Sequence, residues 1–202
     1  MKRGCLVAIL AAIGVAAVVL LLVALSLMAT YNRFVSLDEK VGEAWAQVEN
    51  VYQRRMDLVP NLVETVKGVA NFEKETYLAV AEARAKAGQV TLSKELLSDP
   101  AAFAKFEQAQ GELSTALSRL LVTVERYPEL KANENFRDLQ SQLEGTENRI
   151  AVERRRFNQA VREYNTAIRR FPGRLIASLF GFEEKPYFKA AEGAEKAPQV
   201  KF

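Results

Sequence analysis

Two groups of charged residues are the ones best able to do chemistry in this sequence. Arg54, Arg55 and Asp57 form one group; Glu147, Glu153 and Arg154, beside Thr146, form the other. Carboxylates and guanidinium groups in such sets can pair in an interior and fix helix register, hold a ligand or partner, or stand in solvent. The second group interrupts an apolar stripe, between Leu143 and Phe157. The plainest reading is a solvated patch on an outward helix face, with a register-fixing network or a partner site as the alternatives. Arg154-Arg155-Arg156 and Arg169-Arg170 read first as solvated helix faces as well, and phosphate binding there is the lesser reading.

Other chemistry is excluded by residue type. The chain has no histidine and one cysteine, Cys5. Di-iron sites in helix bundles need inward Glu-x-x-His pairs, and Ser-His-Asp or Cys-His catalysis needs an imidazole. Thiolate zinc sites need several cysteines. The ten glycines never fall as G-x-G-x-x-G or as a phosphate-binding loop. No cofactor and no metal are therefore expected, and no enzyme. Nucleic acid is not an expected partner either: removing Lys2 and Arg3 from the 28 bases leaves 26 against 25 acids, without the one-sided excess that phosphate backbones demand.

The elements that must carry these residues begin with an apolar run. Leu6 to Ala29 is 24 residues long and carries no charge. As a helix it measures about 36 Å, enough to cross a hydrocarbon core of about 30 Å. A cleaved signal peptide, whose apolar region runs about 7 to 15 residues, fits less well. Membrane lipid is thus the expected partner of residues 6–29. Lys2 and Arg3 place the short N-terminus in the cytoplasm and the remainder on the outer, periplasmic side of an inner membrane. Ala8, Ala12 and Ala16 have the spacing at which two spans approach closely.

Beyond the membrane the chain reads as long helices. In 134–171, Phe136, Leu143, Ile150, Phe157, Tyr164 and Phe171 recur every seven residues, with Leu139, Val161 and Ile168 alongside, as in a coiled coil. Asn133 caps this stretch and Pro172-Gly173 ends it. The stretch 101–127 carries Phe103, Phe106, Leu113, Leu117, Leu120 and Val124, interrupted only by Gln110, and opens on Asp99-Pro100. The two should form an antiparallel hairpin. The first stretch, 37–87, opens with a Ser36/Glu39 capping box and has Pro60 in its middle. Proline lacks the N–H a helix interior needs, so it divides the stretch, with Asp57 capping a new helix, or kinks it. The fold class expected is all-α: an N-terminal span over residues 1–30, then an antiparallel bundle over 31–182. Four helices are favoured, with three helices and a kink at Pro60 as the alternative. Residues 183–202 read as a loosely ordered tail.

Leu175, Ile176, Leu179, Phe180 and Phe182 form an apolar extension beyond Pro172-Gly173. It either covers the bundle's own end or contacts a second copy.

The motifs also carry a likeness. Tyr31-Asn32-Arg33-Phe34-Val35, Ala44-Trp45, and the run from Arg54 to Gly68 (RRMDLVPNLVETVKG) strongly resemble the LemA family. Tyr127-Pro128-Glu129-Leu130-Lys131-Ala132-Asn133, Tyr164-Asn165, Phe171-Pro172 and Gly181-Phe182 extend the resemblance over almost the whole chain. It implies a bacterial membrane protein with an N-terminal span and a helical bundle, without established enzymatic activity. One branch of that family is associated with magnetosome membranes. Family descriptions often place the short N-terminus outside the cell, opposite to the charge-based orientation. Two functions are expected to compete: a scaffold that self-associates as a homo-oligomer at the membrane, or an accessory subunit binding another membrane protein such as a protease or sensor. An enzyme built only from Glu, Asp, Lys or Tyr is the least supported reading.

Overall fold

The computed structural model describes residues 2–69 and 72–189, with the side chains of residues 2–9 and Ala12 outside the description. Among the described residues the regular structure is entirely helical. Its helices are α1 (Lys2–Lys67), α2 (Lys74–Gln89), α3 (Pro100–Val124), α4 (Pro128–Ala132), α5 (Glu134–Arg169) and α6 (Gly173–Phe180), with a 3-10 turn over Lys94–Ser98. Two compact units emerge, one from residues up to Lys40 with Arg162–Glu184, the other from Val41–Val161 with the segment from Lys185.

The larger unit is an up-down-up-down bundle, and the side-chain pairings give its directions. Along α1 and α3 the contacts advance together, Trp45 with Phe103, Tyr52 with Phe106, Arg55 with Gln110, so these helices are parallel. Against α5 they run in reverse, Trp45 with Phe157 and Arg55 with Glu147. The α3–α5 pair is antiparallel, Phe103 meeting Phe157 and Glu107 meeting Arg154. Helix α2 descends beside α3, with Glu73 on Arg126 and Lys86 on Glu112.

The caps account for the starts of α3 and α5. Asp99 Oδ1 accepts from the backbone N–H of Ala101 and Ala102 at 2.9 and 3.0 Å, with Pro100 at the first helical position. Asn133 Oδ1 accepts from Phe136 N–H at 3.0 Å. Each satisfies donors that the first turn leaves without helical partners.

At the first stretch the structure corrects the expected division. Helix α1 passes through Ser36 and through Pro60 without a break, so neither the capping box nor an Asp57 cap is used. Proline removes the N–H that would bond Met56 C=O one turn earlier. Arg84 Nε, on α2, donates to that carbonyl at 3.0 Å. A side chain from a neighbouring helix thus replaces the donor, and the helix continues to Lys67. Four long helices result, but the chain turns between α1 and α2 beyond Gly68, not at Pro60.

A second correction concerns the segment after 182. Phe188 is 5% exposed, inside an aromatic cluster with Trp45, Phe103, Phe106 and Phe157. Asn158 holds its backbone on both sides, donating to Phe188 C=O and accepting from Phe188 N–H, each at 2.9 Å. Lys185–Lys189 is therefore a built part of the bundle; 190–202 lies outside the described residues. The reason is local satisfaction: an extended segment needs partners for its backbone, and a side-chain amide supplies one donor and one acceptor.

The smaller unit contains the apolar stretch of α1, the last turns of α5, and α6. From Leu10 to Met28 the large apolar side chains stand exposed. Phe34 is buried, and Phe182 meets it at 5.4 Å between ring centroids. Gly181, with φ +75°, permits the turn that returns Phe182 onto Phe34 and Tyr31. The sevenfold row of α5 is buried through Tyr164, whereas Phe171 falls beyond the helix and is exposed.

Candidate functional site

The polar groups of the bundle converge on Arg55. Its position on α1 follows the apolar row Trp45, Val48, Tyr52, Val59, all buried, so the helical period turns it inward and leaves Arg54 outside. Arg55 is 1% exposed and reaches two other helices. Nη1 donates to Ser114 Oγ at 2.8 Å and to Glu147 Oε1 at 2.9 Å. Nη2 donates to Gln110 Oε1 and, at 3.5 Å, to the Gln110 carbonyl. The guanidinium lies 5.0 Å from the Tyr52 ring centroid, while Nε has no hydrogen-bond partner. Burial pushes the Tyr52 phenol above its ordinary value of 10.

The electrostatics are asymmetric. The Glu147 side chain keeps 39% of its surface, so it meets solvent on one side while neutralising a cation that has lost nearly all of its water. Removing the carboxylate would leave a buried charge with only neutral acceptors.

A second node lies two turns along α5, at Arg154. Arg154 Nη2 donates to Glu107 Oε1 at 2.9 Å and to Lys189 C=O at 2.8 Å. Lys189 N–H donates to the same Glu107 oxygen, and the Arg154 guanidinium sits 4.5 Å from the Phe188 ring centroid. Tyr52, Arg55, Glu107, Gln110, Glu147 and Arg154 line one open groove along α1, α3 and α5.

The six charged residues singled out in the sequence are thus divided. Arg55 and Glu147 meet, and Arg154 lines the same groove. Glu153 pairs with Arg156 on its own helix. Asp57 accepts from Gln53, one turn away, and both it and Arg54 are exposed. Sequence reasoning passed over Gln110, Ser114, Glu107, Asn158 and Phe188. The signal for Gln110 was present: a polar residue at an apolar stripe position has to find a buried partner. Of the apolar extension, Leu175, Leu179 and Phe180 are exposed, Ile176 is buried, and Phe182 is half-buried.

This arrangement can hold helices in register and bind a polar surface. Among the described residues no three carboxylates or thiols are placed to share a metal ion. The class defined is an all-α bundle protein whose first helix includes a stretch long and apolar enough to cross a membrane.

Comparison with known proteins gives the family. The LemA family pattern matches residues 44–202, and the chain belongs to the LemA family. Magnetosome protein MamQ of Magnetospirillum gryphiswaldense is 29% identical over 179 residues, covering 81% of this chain and 66% of that protein. Magnetosome protein MamQ 2 of Paramagnetospirillum magneticum is 28% identical over 180 residues, with the same coverage. Protein LemA of Metamycoplasma hominis is 20% identical over 161 residues, 80% of this chain and 69% of its own length. The chain thus spans about two thirds of the length of the magnetosome relatives it matches.

Proposed function

We propose that this protein is a non-enzymatic helical scaffold, held in a bacterial inner membrane by a single N-terminal span and self-associating there. One observation carries the reading: α1 is a single helix whose early part holds 24 successive uncharged residues, with its large apolar side chains exposed from Leu10 to Met28, and whose later part is buried in the bundle. An apolar helix surface of that length finds its lowest free energy in lipid. Confinement to a plane then raises the local concentration of copies, so weak contacts suffice for assembly. The names of the magnetosome relatives are compatible with a role at an organised membrane. Lys2 and Arg3 favour a cytoplasmic N-terminus with the bundle on the periplasmic side.

The test is the size of the full-length protein in mild detergent. A homogeneous assembly containing no other protein supports the scaffold. A monomer at micromolar concentration in several detergents overturns self-association and leaves the second reading, an accessory subunit for another membrane protein. The groove around Arg55 and Arg154 favours that alternative, since it offers charged and amide groups to a polar segment.

A further inference from the structure

We propose that α6 lies in the interfacial layer of the membrane, with its exposed apolar face inserted among the lipid headgroups and upper acyl chains. The inference rests on the membrane anchoring proposed above and adds a second site of lipid contact.

Helix α6 is apolar on two sides, GRLIASLF having only Arg174 and Ser178 as polar side chains. One side is covered by its own unit through Ile176 and Ala177. The other is bare: Leu175 is 64% and Leu179 75% exposed, with Phe180 and, just before the helix, Phe171 also exposed. Leu175 and Leu179, four residues apart on α6, share one face of the helix. A helix apolar on both sides needs a second apolar environment.

The position of α6 against α1 identifies that environment. The apolar stretch ends at Ala29, and the next charge is Arg33. The Phe180 ring lies 4.9 Å from that of Tyr31, between centroids. At the other end of α6, a β-carbon added to Gly173 would sit 3.0 Å from Phe34 Cζ. Tyr31 and Phe34 stand about 3 and 8 Å beyond Ala29 along the helix axis, at about 1.5 Å per residue. Both ends of α6 are therefore held within about two turns of the span's end. Their levels differ by about 4.5 Å over a helix about 10 Å long, so α6 runs closer to the membrane plane than to its normal. This is the depth at which amphipathic helices bury their apolar faces and aromatic rings collect.

Charge agrees with lipid. Arg33, Arg170 and Arg174 are exposed around this end of the unit, where guanidinium groups can meet headgroup phosphates. A second copy of the chain would cover the apolar row equally well but would not require it to sit at the end of the span.

The experiment uses the full chain with Cys5→Ser and one new cysteine carrying an environment-sensitive fluorophore, in vesicles of phosphatidylcholine and phosphatidylglycerol containing lipids spin-labelled both near the headgroup and deep in the acyl chain. Labels are compared at Leu179→Cys, at Leu20→Cys in the span and at Val122→Cys, exposed on α3 of the bundle unit. The Leu179 label should be quenched at least about half as strongly as that of Leu20, and the Val122 label hardly at all. Leu175→Cys repeats the measurement on the same face, and circular dichroism confirms that each variant is helical. If the Leu20 label is quenched and the Leu179 label is not, the span stands and the α6 proposal falls. If the Leu179 signal follows protein density in the vesicle instead of quencher content, the face binds another copy and the proposal also falls. If the Leu20 label itself is unquenched, anchoring fails and takes this inference with it.

Discussion

Arg55 and Glu147, 92 residues apart in the chain, meet at 2.9 Å between α1 and α5, the arginine buried and the glutamate half in solvent. The pair is unequal, and the two ends should respond differently to substitution. Glu147→Gln keeps the size but leaves a buried cation without its counter-charge, and should cost about 1–3 kcal/mol. Arg55→Met together with Gln110→Leu removes the charge, its desolvation and the buried acceptor that would be orphaned, and should be close to neutral in chemical denaturation. Equal losses for both would show that Glu147 contributes packing and not neutralisation.

Pro60 and Arg84 form a compensated pair. Arg84→Ala should cost about 1 kcal/mol by orphaning Met56 C=O. Pro60→Ala restores a backbone donor for that carbonyl and should stabilise α1 by about 1–3 kcal/mol. In the Pro60→Ala background Arg84→Ala should cost almost nothing, a coupling that a double-mutant cycle measures directly. Additive effects would mean that Arg84 acts elsewhere.

The aromatic cluster is the second place where a single side chain matters. Phe157 is fully buried against Trp45, Phe103 and Phe188. Phe157→Ala should cost about 3–5 kcal/mol through the cavity it leaves. Phe188→Ala should in addition release the segment that Asn158 and Arg154 hold, read as faster proteolysis between Glu184 and Lys189. Unchanged cleavage would show that the backbone contacts hold the segment without the ring.

Alkaline pH should unfold the smaller unit through Tyr164. Burial, with the carboxylates of Asp38 and Glu183 nearby, pushes its phenol up to about 12 from an ordinary 10. The folded state then holds the proton more tightly than the unfolded state. Its contribution is whole below about pH 10 and is lost as pH climbs from there through about 12. Melting temperatures measured from about pH 8 to 11 should fall more steeply for the native chain than for Tyr164→Phe. Tyr52, whose phenol burial also raises, contributes to the slope left in the variant. Identical slopes would remove Tyr164 from the account.

Several elements were legible in the residues alone because their causes are local. Asp99-Pro100 and Asn133 act on backbone groups two or three positions away, and the three-four spacing of Phe103 to Val124 states which face of α3 is apolar. The uncharged run from Leu6 to Ala29 needs nothing beyond its own length and composition. Tertiary structure decided everything that depends on a partner far along the chain. Arg54 and Arg55 are alike in sequence, and only the apolar walls and acceptors brought by α3 and α5 make one of them an interior cation. Pro60 looked like a helix end because the donor that compensates it comes from Arg84. Phe188 sits among residues of loose-tail composition, and its burial requires a gap between Trp45, Phe103 and Phe157 that exists only once three helices have packed. Periodicity reports which side of a helix avoids water, but not which surface it will meet there, since that depends on contacts whose sequence separation leaves no local trace.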